Sequence, residues 1–188
     1  MSIPFIILGI VVVLILYVIM LYNGFVKSRV RVNGAWSDIE VQMKRRYNLI
    51  PNLVETVKGY ANHEASTLEK LTQARAAAVS NEGTPEAQAQ AENLLTGALK
   101  SVFAVAEAYP DLKANENFLS LQNDLAEVEE EIQSARRYYN GSVREMNTKV
   151  DQFPGNMVAR RFNFTKAEFF ELDADDDDAR QPVAVNFD

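Results

Sequence analysis

The chain has 188 residues, no cysteine, and 19 basic against 26 acidic side chains, for a formal charge of −7. Lacking thiols, it forms no disulfide and performs no thiolate chemistry. Seven of the acidic residues fall within residues 168–178, leaving the remainder balanced and giving nucleic acid no electrostatic footprint beyond the trio Lys27, Arg29 and Arg31.

Residues 3–22 read IPFIILGIVVVLILYVIMLY, and the first charged side chain is Lys27. Twenty helical residues at about 1.5 Å each cover roughly 30 Å, the thickness of a bilayer's hydrocarbon core, so the segment is expected to span a membrane. A cleaved signal peptide fits less well. No Lys or Arg precedes the apolar run, the run exceeds the usual h-region, and no A-x-A-like site follows it. Lys27, Arg29 and Arg31 sit just beyond the C-terminal end. By the positive-inside rule the N-terminus is then outside and everything after Tyr22 is cytoplasmic, with a periplasmic bundle as the alternative. The expected organisation is a transmembrane anchor at 1–22, one helical-bundle domain at 23–172 and an acidic flexible tail at 173–188.

From Trp36 onward, apolar residues recur at Ile39, Met43, Tyr47, Ile50, Val54, Val57 and Ala61, three or four apart, which is one face of a helix. Pro51 removes one backbone N–H and displaces the Tyr47 carbonyl, so the helix should bend there without ending. A second helix is expected over residues 65–79. Thr84-Pro85 has the form of an N-cap followed by proline at the first helical position. The helix it starts carries Ala87, Ala91, Leu94, Ala98, Val102, Val105 and Tyr109 as its expected packed face, and Pro110-Asp111 stops it. The longest stripe runs from Phe118 through Leu125, Val128, Ile132, Tyr139, Val143 and Met146 to Phe153, with a mean spacing of about 3.5 residues. That period suits an elongated antiparallel bundle or coiled coil, all-α in class, and no strand-like alternation of comparable length precedes Phe162.

No catalytic constellation emerges. His63 is the only histidine and reads as a surface or capping residue without a ligand cluster. Glu127 and Glu129 to Glu131 lack the histidines of a di-iron bundle and read as a solvated face. The serines have no histidine to activate them, and the acidic run 175–178 lacks the ligand spacing of a calcium loop. No cofactor or metal site is expected.

Two segments exceed generic bundle content. Arg45, Arg46, Tyr47 and Asn48, followed by Pro51 and Asn52, form the first; Arg136, Arg137, Tyr139 and Asn140 belong to the second. Both join paired arginines to tyrosine and asparagine. On inward faces, Tyr and Asn form a hydrogen-bonded layer that fixes register, while the arginines pair with carboxylates; a partner-binding surface is the alternative role of these segments. Phe153 and Pro154 close the second helix as the remaining candidates for a structural or interaction role.

RRYNLIPNLVETVKGYANHE at residues 45–64, YPDLKANENFLSLQNDL at 109–125, RRYYNGSVREMNTKVDQFPGN at 136–156 and the Phe169-Phe170 pair resemble, in this order, the LemA family. The resemblance implies a bacterial membrane protein with one N-terminal transmembrane helix and a helical bundle. It implies an association with membrane proteases or other envelope proteins, and it brings no catalytic residues. Residues 182–187, PVAVNF, are a looser form of the family's P-x-V-x-F-like ending. A homo-oligomer is a further expected form, and the lipid bilayer is the expected first partner.

Overall fold

A computed structural model describes residues 3–61 and 63–171. The proposed tail and its terminal apolar stretch lie outside the described residues. Six helices follow in chain order: α1 (Ile3–Lys58), α2 (Ala65–Val79), α3 (Pro85–Ala106), α4 (Pro110–Lys113), α5 (Glu116–Asp151) and α6 (Gly155–Phe162). The described residues contain no strand, in keeping with the expected all-α class.

α1 runs for 56 residues without a break, through Asn23-Gly24, Gly34 and Pro51. Its first part is the one stretch among the described residues long and apolar enough to cross a membrane, and none of that stretch is buried. The remainder carries most of the expected stripe inward: Ile39, Met43, Ile50 and Val57 are buried, whereas Leu53 is fully buried where Val54 was expected and Val54 is half-buried.

The packed residues form two compact units, each taking a segment of α1 and a segment of α5. The first comprises the described parts of Met1–Met43 and Val128–Phe169. Here the two helices are antiparallel, since the partner of Ser28 is Lys149, that of Arg31 is Glu145 and that of Trp36 is Tyr139. α6 ends at Asn163, which adopts the left-handed conformation (φ 56°), and the Phe164 N–H then donates to the Ala159 carbonyl at 2.9 Å. Asparagine tolerates that conformation, and the bond satisfies a helix-end carbonyl. The chain is thereby turned so that Phe164 stacks on Phe25, with ring centroids 4.9 Å apart.

The second unit takes in Lys44–Glu127. α2 and α3 pack together, joined by a turn in which Thr84 accepts the Ala87 N–H and Pro85 opens α3, as expected. Leu53, Val57, Leu71, Leu95, Val102 and Leu112 lie at the centre of its core. Asn115 caps α5 by accepting the Phe118 N–H at 3.0 Å.

The packed face of α3 differs from the expected one. Gln88, Ala89, Glu92, Leu95, Leu99, Val102 and Ala106 are buried, whereas Leu94 is 68% exposed. The face has turned toward two polar side chains because partners from α1 accept them.

Candidate functional site

The most concentrated chemistry in the second unit surrounds Glu92. Arg46 points inward from α1 and is 1% exposed; its Nη2 lies 3.0 Å from Glu92 Oε2 and donates to Thr96 Oγ1 at 2.9 Å. The Tyr47 hydroxyl donates to Glu92 Oε1. Gln88, one turn before Glu92 on α3, donates from Nε2 to the same carboxylate oxygen at 3.0 Å and contacts the Tyr47 hydroxyl at 3.1 Å and the Ala78 carbonyl at 3.2 Å. Side chains of α1 and α3 therefore meet on one carboxylate, and Gln88 ties α2 to them through the Ala78 carbonyl. Burial, followed by the negative charge of Glu92, pushes the Tyr47 hydroxyl well above its ordinary range, so it remains a neutral donor.

A buried ion pair of this kind recovers its desolvation cost only when further hydrogen bonds satisfy both partners. Thr96 supplies one to the Arg46 Nη2, and Tyr47 and Gln88 supply two to Glu92 Oε1, which meets the condition in part. Both charged groups are almost wholly enclosed, an arrangement suited to holding helices in register.

The first unit carries a second polar set along α5. Tyr139 is buried against Trp36, with centroids 5.4 Å apart, and its hydroxyl donates to the Glu168 carbonyl at 2.8 Å. Asn147 uses both ends of its amide on Ala167, donating to the carbonyl at 3.0 Å and accepting the N–H at 2.8 Å. Together they hold the segment after α6 against α5. Burial, with Glu168's charge second, pushes the Tyr139 hydroxyl up to about 12. Nearby, the hydrogen bond from Lys149, ahead of the charges of Lys149 and Arg31, holds the Glu145 carboxyl below the usual carboxylate range.

The LemA family pattern matches residues 35–187, which takes in both polar sets. The chain belongs to the LemA family. Protein LemA of Metamycoplasma hominis is 29% identical to it over 79% of this chain and 68% of its own length. The magnetosome protein MamQ 2 of Paramagnetospirillum magneticum is 26% identical over 86% of this chain and 68% of its own. MamQ of Magnetospirillum gryphiswaldense is 24% identical over 81% and 65%.

Within this LemA chain the two Arg-Tyr-Asn segments have different fates. Arg46 and Tyr139 are buried and Tyr47 is half-buried. Asn48 and Asn52 are exposed, correcting their expected place on the inward face. At 100° per residue they fall roughly opposite Arg46, Ile50 and Leu53, so the helix cannot bury both sets. Arg45 is exposed and pairs with Glu127 at 3.3 Å. Pro51 is exposed, Arg136 and Asn140 are half-buried, and Arg137 is exposed. Phe153 lies beyond the end of α5 and is 74% exposed, with half-buried Pro154 beside it, so the seam stops before the residue expected to close it.

Sequence reasoning missed Glu92, Gln88, Arg75 and Asn147. The signal available for the first pair was an i, i+4 Gln and Glu on a helix rich in alanine. Among the described residues no group of three His, Asp or Glu side chains converges as a metal site would require, and His63 is exposed in a turn.

Proposed function

We propose that this LemA protein is a single-pass, membrane-anchored helical scaffold that binds and modulates other envelope proteins without catalysing a reaction. The observation that carries the reading is α1 itself. One unbroken helix begins as an exposed apolar stretch of membrane-spanning length and continues as a core element of the first unit, where its Phe25, Ala35 and Ile39 are enclosed. Such a helix fastens a packed domain close to the bilayer with no flexible linker. Lys27, Arg29 and Arg31 favour placing the domain on the cytoplasmic side. The enclosed polar sets are occupied with holding helices in register, which leaves the exposed faces for partners, membrane proteases among them.

Photoreactive residues at exposed Leu94 and Tyr138, introduced into the full chain in native membranes, test the proposal. Reproducible capture of defined membrane proteins, lost when the probe moves to enclosed Leu95, is the expected result. Capture of nothing but the chain itself, together with turnover of a substrate by the purified protein in a broad hydrolase screen, would replace a scaffold with an enzyme.

A further inference from the structure

The first unit exposes large apolar side chains at one end. Phe153 is 74% exposed, Met157 64% and Phe162 45%. All three belong to the α5–α6 turn and α6, and this end of the unit lies beside the apolar stretch of α1. A groove of about 340 Å3 is lined by Tyr17, Met20 and Leu21 on one side and by Gln152, Phe153 and Pro154 on the other. Tyr17 to Leu21 are in the last turn and a half of the stretch that ends at Tyr22. The approach is close. A Cβ on Gly155 would sit 2.6 Å from the Lys149 carbonyl oxygen and 3.4 Å from the Phe25 ring, so only glycine lets the chain turn back here.

α6 is two-faced. Val158 and Ala159 are buried, while Met157, Arg160 and Arg161, spaced i, i+3 and i+4, share the exposed side. The Phe162 ring meets Tyr22 edge-on at 5.0 Å, and the Arg161 guanidinium lies 5.7 Å from the Phe162 centroid. The neighbouring acids are already held: Glu145 by Arg31 and Lys149, Asp151 by Lys166 at 2.7 Å. Among the described residues no carboxylate forms an ion pair with Lys27, Arg29, Arg160 or Arg161.

We propose that the α5–α6 turn and α6 make a second, interfacial contact with the bilayer that α1 crosses. Phe153 and Met157 enter the boundary between acyl chains and headgroups, and Arg160 and Arg161 bind the phosphates of anionic lipids. The proposal rests on the membrane-spanning reading of α1. If residues 3–22 fill the hydrocarbon core, side chains level with Tyr17 to Leu21 lie at its edge, where aromatic and basic residues are favoured. Each cation near an anionic surface adds attraction, and the exposed apolar groups leave water. The contact would fix the tilt and rotation of α1, and of the first unit packed on it, in the bilayer.

The chain has no cysteine, so single-cysteine variants carry one fluorophore each. The full-length protein is labelled at Phe153→Cys, Met157→Cys, Leu8→Cys or Leu94→Cys and reconstituted into phosphatidylcholine vesicles with or without phosphatidylglycerol. Spin-labelled lipids then quench at shallow or deep positions. The labels at positions 153 and 157 should be quenched by the shallow probe about twofold more than the label at position 94, as expected for groups a few ångströms inside the interface. The label at position 8 should respond to the deep probe. If the labels at positions 153 and 157 behave like that at 94 while position 8 is still quenched, the interfacial contact is wrong and the anchor stands. If position 8 is not quenched, the spanning reading fails and takes this proposal with it. Phosphatidylglycerol should increase quenching at position 157, and the Arg160→Gln, Arg161→Gln double variant should abolish that increase; an increase that survives would overturn the assignment of the two arginines.

Discussion

Arg75 on α2 donates its Nε–H to the backbone carbonyl of Tyr47 at 2.7 Å. That carbonyl is the one Pro51 leaves without a helical donor, because the missing N–H of a proline is the partner of the residue four places earlier. The proline thus creates an acceptor inside α1, and a neighbouring helix uses it. Its position next to the Arg46, Tyr47 and Glu92 cluster ties α2 to the same point of α1 that α3 grips.

Arg75→Ala should therefore destabilise the detergent-solubilised full chain by about 1.5 to 3 kcal/mol, the range for a hydrogen bond from a charged group. Pro51→Ala restores an N–H four residues after Tyr47. In that background the Arg75→Ala loss should shrink, and a denaturant double-mutant cycle measures the difference. Equal losses in both backgrounds would mean that the carbonyl does not need Arg75.

Two ion pairs formed by adjacent arginines should respond differently. Glu92→Ala strands an enclosed guanidinium and is expected to cost about 3 to 5 kcal/mol. Glu127→Ala removes the exposed partner of Arg45 and should change stability by no more than about 1 kcal/mol. Chemical denaturation of the two variants under one set of conditions checks the contrast.

Much of the helical architecture was legible because apolar spacing is a local signal. The stripe from Trp36 to Val57, the Thr84-Pro85 start and the seam from Phe118 to Met146 all face as the period requires. The inward face of α3 was not legible. Leu94 and Leu95 are equally apolar, and what selects Leu95 is the burial of Gln88 and Glu92, which becomes tolerable only through Arg46 and Tyr47 more than 40 positions away. Arg46 is expected to pair with a carboxylate, but no local pattern identifies Glu92 as that partner. Asn147 was hidden for the same reason, since its partner Ala167 is a backbone acceptor and donor that no side-chain pattern announces.

Tyr139 gives a pH test. Its hydroxyl, ordinarily near 10.0, is pushed up to about 12 by burial and then by Glu168. Above pH 10 the unfolded chain has released this proton while the folded chain still holds it, so unfolding is favoured. Its contribution to stability should be complete below pH 10 and decline as the pH rises towards about 12. Tyr139→Phe should lose roughly 1 kcal/mol at neutral pH with the Glu168 hydrogen bond and show a shallower alkaline decline. Tyr139→Ala, which also empties the site beside Trp36, should cost about 3 to 5 kcal/mol. Urea midpoints across the alkaline range distinguish these variants.

The claim that α1 fastens the folded part to the inner face of a membrane is tested most directly by thiol accessibility in cells. Ser80 is exposed in the turn after α2, and Ser80→Cys gives the full chain a single reactive group. With any outer membrane made permeable, a membrane-impermeant maleimide should leave this cysteine unmodified until the inner membrane is opened, and should then label it fully. Full labelling before the inner membrane is opened would contradict the account and place the bundle on the opposite side.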